Sequence, residues 1–299
     1  MTTYCLSLIG RPNRTDISEA VAAQLMELLP APEKPVWLAE GEACDVYFEK
    51  SDEDGLRELQ ENMRLRFQDH PLDAAILPKE NRRKSLLIAD MDSTIIQQEC
   101  IDEIADFAGL REHISGITER AMRGELVFEQ ALEERVHLLK GLPASTLQKV
   151  IDERIALMPG ARTLVQTMRA HGAFTALVSG GFSFFTSRIA AMTGFQINQA
   201  NILDIEEDTL TGEVKKPILG QAAKLEALNR LSDDNGIELS QTLAVGDGAN
   251  DLAMIKAAGL GVAYHAKPKV AAEARVRIDH GDLTALLFLQ GYRRAEFCD

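Results

Sequence analysis

Residues 85–99 read SLLIADMDSTIIQQE, and this stretch decides the fold. Its first part is an uninterrupted apolar run, which is typical of a strand buried on both faces of a parallel sheet. Two carboxylates, Asp90 and Asp92, follow the run directly, and Ser93 and Thr94 come next. An Asp-x-Asp pair at a strand end also suits a solvated turn or a helix cap, so the pair needs support from elsewhere in the chain.

Two later strands supply that support, because each also ends in a short polar or glycine-rich motif. They are VSGG at 178–181 and VGDGAND at 245–251, and from residue 158 onward helices and apolar strands alternate, which predicts a doubly wound parallel sheet. Ligands of such sheets bind where the strands end. Three strand ends are therefore expected to face one crevice, with Asp90, Asp92, Ser179, Gly180, Asp247, Asn250 and Asp251.

The acidic residues of this crevice indicate a bound cation. Two carboxylates about 4 Å apart repel by roughly 4 kcal/mol at an effective dielectric of 20. A divalent cation removes the repulsion, and hard oxygen ligands without nearby His or Cys favour magnesium over zinc. Asp251 has an alternative role as N-cap of the helix that follows it.

The remaining sequence predicts two domains. Residues 1–80 show the order βαββαβ of a ferredoxin-like α+β domain, and the polar stretch 78–84 is expected to be the linker. Residues 81–299 form the α/β domain, with an all-helical insertion at about 99–157 and a hairpin at 201–214.

Composition narrows the class of partner. The chain of 299 residues carries 46 acidic and 32 basic residues, a net charge of -14, which disfavours nucleic acid and anionic membranes and leaves a small molecule. Its 4 cysteines show no CxxC pair, so neither a disulfide framework nor a zinc site is expected. No window reaches the ~18 apolar residues of a membrane span, and no basic leader is present, so we expect a cytoplasmic protein.

The motifs, taken in order, resemble the haloacid dehalogenase superfamily of phosphotransferases. DMDST at 90–94 matches the nucleophile motif, Ser179 the second, Lys224 the third and GDGAND at 246–251 the fourth. The resemblance extends from about residue 85 to the end of the chain. It implies that Asp90 is the nucleophile that becomes phosphorylated.

The resemblance implies roles for the other site residues as well. Asp92 would be the general acid and then the base, and Mg²⁺ would be held by Asp90, the Asp92 carbonyl and Asp247, with Asp251 behind them. Residues that would contact the substrate are Ser179, Gly180, Lys224 and Asn250. A dinucleotide site is disfavoured, since Asp251 stands where the third glycine of that fingerprint would be.

Within the superfamily, Glu99 and AMRGELVFEQALEERV at 121–136 resemble the phosphoserine phosphatases. Glu99 would bind the ammonium group and Arg135 the carboxylate of O-phospho-L-serine, while Met122 and Phe128 would shield the phosphoryl group. The implied reaction releases L-serine, as the last step of its biosynthesis. Without the resemblance, the favoured interpretation of Arg135 is an arginine that lays its stem along an apolar face with its charged end in water.

Three alternatives stay open at this point. The substrate could be another small phosphomonoester, such as homoserine phosphate. A sensor module that carries a phosphorylated Asp is disfavoured by Asp92, because receiver domains lack this second acid. The front domain resembles ACT-like domains in its order of elements, and it is expected either to mediate a homodimer contact or to bind serine as a feedback ligand.

Overall fold

Two sheets organise the chain in the computed structural model, which describes residues 2–51, 54–122 and 125–298. The first eighty residues form a four-stranded antiparallel sheet, and the rest of the chain builds a six-stranded sheet in which every pair of neighbouring strands is parallel. The predicted α/β core with an additional α+β unit is therefore confirmed. Within the described ranges, no helix combines the length and the apolar character needed to cross a membrane.

The N-terminal sheet has the predicted element order. Its elements are β1 (Thr2–Gly10), α1 (Glu19–Met26), β2 (Val36–Ala39), β3 (Ala43–Lys50), α2 (Asp54–Arg66) and β4 (Leu72–Pro78). The strands lie in the order β2-β3-β1-β4, as in split ferredoxin-like units. Leu6 and Leu8 of β1 pack with Leu25 of α1 and Met63 of α2 in one apolar core. The closer likeness to ACT domains stays a prediction.

The parallel sheet and its helices form the rest of the chain. Its elements are β5 (Leu86–Ala89), α3 (Cys100–Phe107), α4 (Arg111–Met122), α5 (Phe128–His137), α6 (Ser145–Glu153), α7 (Ala161–Ala170), β6 (Phe174–Phe182), α8 (Ser183–Thr193), β7 (Ile197–Asn201), β8 (Leu203–Glu206), β9 (Thr209–Val214), α9 (Gln221–Asn235), β10 (Thr242–Gly246), α10 (Leu252–Ala257), β11 (Leu260–Tyr264), α11 (Pro268–Glu273), β12 (Val276–Ile278) and α12 (Ala285–Leu289). The strand order is β12-β11-β10-β5-β6-β7.

Strand β5 explains why the apolar run at 86–89 is continuous. Leu87 and Ala89 belong to the core on one face of the sheet, whereas Leu86 and Ile88 belong to the core on the other face. All four residues have no exposed surface. A central strand that is covered on both faces needs apolar residues at every position rather than at alternate ones.

The connection between β5 and β6 is helical, as the sequence predicts. In the described part of this insertion, α3 to α6 follow one another with no strand of the main sheet. The hairpin β8–β9 lies beside the insertion, and Pro143 forms an isolated bridge with Thr209 of the hairpin. The insertion and the hairpin therefore contact each other.

The stretch 78–84, predicted as a linker, carries a buried arginine between the two sheets. Arg82 is 9% exposed, and its guanidinium donates hydrogen bonds to Asp45 of β3 at 2.6 Å and to the Leu289 carbonyl of α12 at 3.1 Å. A second contact joins the sheets, because the Asp73 carboxylate of β4 accepts the backbone N–H of Gly281 at 2.8 Å. We call these two contacts the seam.

Candidate active site

Three buried carboxylates meet where the central strands end. Asp90 follows β5 and Asp247 follows the neighbouring strand β10, while Asp251 precedes α10. The Asp90 N–H continues the ladder between the strands by donating to the Val245 carbonyl at 3.0 Å. Carboxylate oxygens of the three residues lie within 4.8 Å of one another. The sequence motifs at 90–94 and 246–251 therefore form one cluster.

Lys224 supplies one positive charge to this cluster. It lies on α9 and is 3% exposed, and its Nζ is 2.7 Å from Asp90 Oδ1 and 2.5 Å from Asp251 Oδ1. Burial alone would lower the pKa of Lys224, but Asp251 and Asp90 outweigh this effect and raise it. The pKa of Asp90 is raised by burial and by Asp251, although Lys224 opposes the shift. One buried lysine does not balance three carboxylates.

The donor set fits a hard divalent cation. Asp90, Asp247 and Asp251 offer carboxylate oxygens only, which Mg²⁺ and similar ions prefer. Burial also raises the pKa of Asp247, as expected for a carboxylate whose charge is incompletely compensated. Lys267 lies 3.6 Å from Asp247, but its side chain is 57% exposed, so its charge is screened by solvent. A cation would complete the charge balance.

Asp92 makes its hydrogen bonds to groups outside the cluster of three carboxylates. Its Oδ1 accepts the N–H of Cys100 at 2.9 Å, at the start of α3, and its Oδ2 accepts the Ser179 hydroxyl at 3.3 Å. Burial raises the pKa of Asp92, and the bond from Cys100 opposes the shift. A carboxyl group with a raised pKa holds a proton more readily than an ordinary aspartate, which suits an acid.

Two glycines at the end of β6 are closely packed, Gly181 against Asp92 and Gly180 against Phe128. A Cβ at Gly181 would stand 2.8 Å from Asp92 Oδ2, and a Cβ at Gly180 would stand 3.0 Å from the ring of Phe128. Any side chain at these positions would displace a carboxylate or the aromatic ring. Phe128 starts helix α5 of the insertion, so its contact with Gly180 brings the insertion onto the site.

Glu99 and Arg135 are the two charged residues of the insertion that were predicted to contact the substrate. Glu99 accepts the Ser93 hydroxyl at 2.8 Å, and its pKa is raised to about 7 by burial and by Asp92. Arg135 is half-buried, and its Nε donates to the Ala131 carbonyl at 3.0 Å, one turn earlier on α5. Burial lowers the pKa of Arg135, while nearby carboxylates that include Glu99 oppose the shift.

The structure places the predicted site residues Asn250 and Asp251 in and after the loop before α10, and it does not describe the side chain of Met122. Asn250 lies in the loop before α10, and its amide oxygen stands over Gly248. Asp251 occupies the N-cap position of α10, but its side chain makes no capping bond there; it accepts the Gly248 N–H at 2.9 Å and contacts Lys224 instead. The prediction that Asp251 is the N-cap residue of this helix is confirmed in position, although its side chain bonds to Gly248 and Lys224 rather than capping the helix. The Met122 side chain lies outside the described part of the structure.

Sequence reasoning missed three contacts of the site. The Thr94 hydroxyl donates to Asp247 at 3.3 Å, and Ser93, whose φ of 55° is left-handed, holds Glu99. Ser93 and Thr94 directly follow the two aspartates in the stretch 85–99, and this position was the one feature of the sequence that could have indicated a role in the site. Lys267 follows β11, and only the order of the strands brings it beside Asp247.

Comparisons with known proteins agree with this architecture. The haloacid dehalogenase-like hydrolase family matches residues 84–259. A phosphoserine phosphatase of Haemophilus influenzae is 50% identical over 204 residues, which cover 68% of this chain and 65% of the relative. One from Streptococcus thermophilus is 46% identical over 200 residues, which cover 67% of this chain and 93% of the relative.

A solved structure extends the likeness to the N-terminal sheet. The crystal structure of a HAD family hydrolase from Salmonella enterica subsp. enterica serovar Typhi has a TM-score of 0.84 and 31% identity, over 96% of this chain and 98% of that one. The chain spans between 52% and 65% of the length of four curated phosphoserine phosphatases that it matches. From the family match over residues 84–259 and these relatives, the chain belongs to the haloacid dehalogenase-like hydrolases and groups with the phosphoserine phosphatases among them.

Proposed function

We propose that this protein is a magnesium-dependent phosphatase that converts O-phospho-L-serine to L-serine and phosphate, the last step of serine biosynthesis. The observation that carries the proposal is the buried Asp90 carboxylate, which contacts Lys224 at 2.7 Å and lies beside Asp247. The relatives named phosphoserine phosphatase support the choice of substrate.

In the first half of the reaction, an Asp90 oxygen attacks phosphorus as the bond between phosphorus and the serine oxygen breaks. Asp92 gives its proton to that oxygen, because an alkoxide is a poor leaving group at neutral pH. The hydrogen bond from the Cys100 N–H holds the Asp92 carboxyl in place. The products of this half are serine and a phosphorylated Asp90.

In the second half, Asp92 takes a proton from water as the water oxygen attacks phosphorus and the bond to Asp90 breaks. Ser179, Gly180 and Lys224 balance the charge on the transferring group, and Asn250 is proposed to contact it as well. Asp90, the Asp92 carbonyl and Asp247 would hold Mg²⁺, with Asp251 behind them, and the ion would supply further stabilisation of negative charge on the phosphoryl oxygens.

Substrate choice is proposed to depend on the insertion. Glu99 would bind the ammonium group of phosphoserine and Arg135 its carboxylate, and Phe128, with Met122, would keep bulk water from the phosphoryl group. The position of Phe128 against Gly180 supports this role, because it places an apolar ring at the end of β6.

The proposal places the enzyme in the cytoplasm, acting on a small molecule and on neither nucleic acid nor membrane. The net charge of -14 supports this choice of partner. A homodimer formed through residues 1–80 stays a prediction, as do the boundary near residue 80 and binding of serine by that region.

The test is phosphate release from a panel of phosphomonoesters, measured with and without added Mg²⁺ after chelation. We expect phosphoserine to give the highest kcat/KM, and activity to disappear with EDTA and return with Mg²⁺. Higher kcat/KM for homoserine phosphate would reassign the substrate. A stable phosphoprotein without turnover would replace the enzyme by a sensor.

Arg135→Ala is expected to raise the KM for phosphoserine by about 10- to 100-fold, since a lost charge-assisted hydrogen bond to a buried carboxylate is worth about 1.5–3 kcal/mol. The KM for p-nitrophenyl phosphate, which has no carboxylate, should stay nearly unchanged. Steady-state kinetics on both substrates measure the difference, with the exposed Arg230→Ala on α9 as the matched control. Equal losses on both substrates would remove Arg135 from carboxylate recognition.

A further inference from the structure

Asn201, the last residue of strand β7, is buried, and the hydrogen bonds of its side-chain amide go to backbone groups. It is 2% exposed and stands opposite Phe182 of β6, beyond an irregularity in the pairing of the two strands. Its Nδ2 donates to the Gly180 carbonyl at 2.9 Å and to the Leu219 carbonyl at 3.3 Å, and its Oδ1 accepts the Leu219 N–H at 2.7 Å. Both amide hydrogens are therefore used.

The bond to Gly180 fixes one peptide plane. The Gly180 carbonyl and the Gly181 N–H belong to the same rigid, planar unit and point in opposite directions. With the carbonyl held by Asn201, the Gly181 N–H donates to the Ser179 hydroxyl oxygen at 2.9 Å. That donation leaves the hydroxyl hydrogen free to point at Asp92 Oδ2, 3.3 Å away.

The hydrogen bonds to Leu219 hold the backbone just before helix α9. Leu219 directly precedes Gly220, the N-cap of α9, and Lys224 stands on the first turn of that helix. Asn201 thereby holds the backbone that leads to Lys224 against the backbone that presents Ser179. Lys224 in turn contacts Asp90 at 2.7 Å.

We propose that Asn201 is a positioning residue for phosphoryl transfer, which sets the Ser179 hydroxyl and the Lys224 ammonium at the spacing required by the transferring group. The inference rests on the proposed phosphatase function and deepens it. Asn201 acts through Gly180 and Leu219, and its own hydrogen bonds do not go to Glu99 or Arg135. Its contribution should therefore be to kcat rather than to recognition of serine.

The experiment compares Asn201→Ala and Asn201→Asp with wild type and with Asn198→Ala. Asn201→Asp keeps the side-chain shape and the acceptor for the Leu219 N–H, but it loses both donors. Asn198 lies on the same strand and accepts the Thr186 hydroxyl at 2.9 Å, so its replacement removes one amide contact from β7 without touching the site. All assays are run well below the Tm of each variant.

Both Asn201 variants are expected to lose about 10- to 100-fold in kcat, because small misplacements of catalytic groups have effects of this size. The KM for phosphoserine should stay within about threefold, and p-nitrophenyl phosphate should show the same loss in kcat. Asn198→Ala should keep the wild-type kcat even where its Tm falls.

Wild-type kcat in Asn201→Asp would overturn the inference while leaving the phosphatase proposal intact. A change in KM without a change in kcat in the Asn201 variants would also overturn it. So would a fall in kcat that Asn198→Ala shows as well and that follows the fall in Tm, because a loss of stability alone would explain it. Failure of the wild-type protein to hydrolyse any phosphomonoester would instead remove the proposed function itself.

Discussion

Asp90→Asn is expected to lower kcat for phosphoserine by about a thousandfold or more, since loss of a nucleophile is among the largest effects in catalysis. The amide is nearly isosteric with the carboxylate but barely nucleophilic. Acid quenching during turnover should trap a phosphorylated protein in wild type and none in the variant. Phosphate release and the trapped phosphoprotein are the two measurements.

The fold should survive this change. Burial and Asp251 raise the pKa of Asp90, which shows that its charge is unfavourable where it lies, so a neutral amide relieves repulsion while Lys224 keeps its contact with Asp251. We expect the Tm to stay the same or to rise. Asp234→Asn, on the exposed side of α9, is the matched control. Wild-type rates in Asp90→Asn would rule out Asp90 as the nucleophile.

Asp92→Asn is expected to lower kcat for phosphoserine by about 10²- to 10⁴-fold, because the departing alkoxide then lacks its proton donor. An aryl phosphate needs no such donor, since its leaving group is a stable phenolate. The variant should therefore release one equivalent of p-nitrophenol per enzyme rapidly and then slow down, because water activation also depends on Asp92. Stopped-flow absorbance measures this burst.

The Asn side chain can still accept the Cys100 N–H through its Oδ1, so the start of α3 should be unaffected. Circular dichroism and Tm check this point. A loss of equal size on both substrates without a burst would contradict a role for Asp92 in protonating the leaving group.

The strand ends were predictable from the sequence because local pattern and topology agree there. An apolar run covered on both faces identifies β5, and the parallel alternation that follows places its end beside that of β10. The helical insertion was predictable for the same local reason, since its amphipathic period continues without a strand pattern. The fold class and the grouping of the acidic motifs followed from these two signals.

Apart from the bond between Ser93 and Glu99, the contacts that were missed cross between elements distant in sequence. Asn201 looks like an ordinary polar residue at the start of a hairpin, and only its position beside Gly180 and Leu219 gives it a role. Arg82 belongs to a polar stretch that is typical of an exposed linker, and its burial depends on Asp45 and on α12. The hydrophobic pattern of the sequence does not indicate contacts of this kind, because the partners lie far apart along the chain.

The seam has a consequence for how the whole chain responds to damage. Arg82 is 9% exposed, and the Asp45 carboxylate balances its charge. If the N-terminal sheet came away from the rest of the chain, the Arg82 guanidinium would be left unpaired beside α12, which is energetically costly. The hydrogen bond from the Gly281 N–H to the Asp73 carboxylate would break at the same time. Heat or a protease that unfolds residues 2–51 and 54–78 should therefore also destabilise the parallel sheet that holds the candidate site. We expect the two parts of the chain to unfold together.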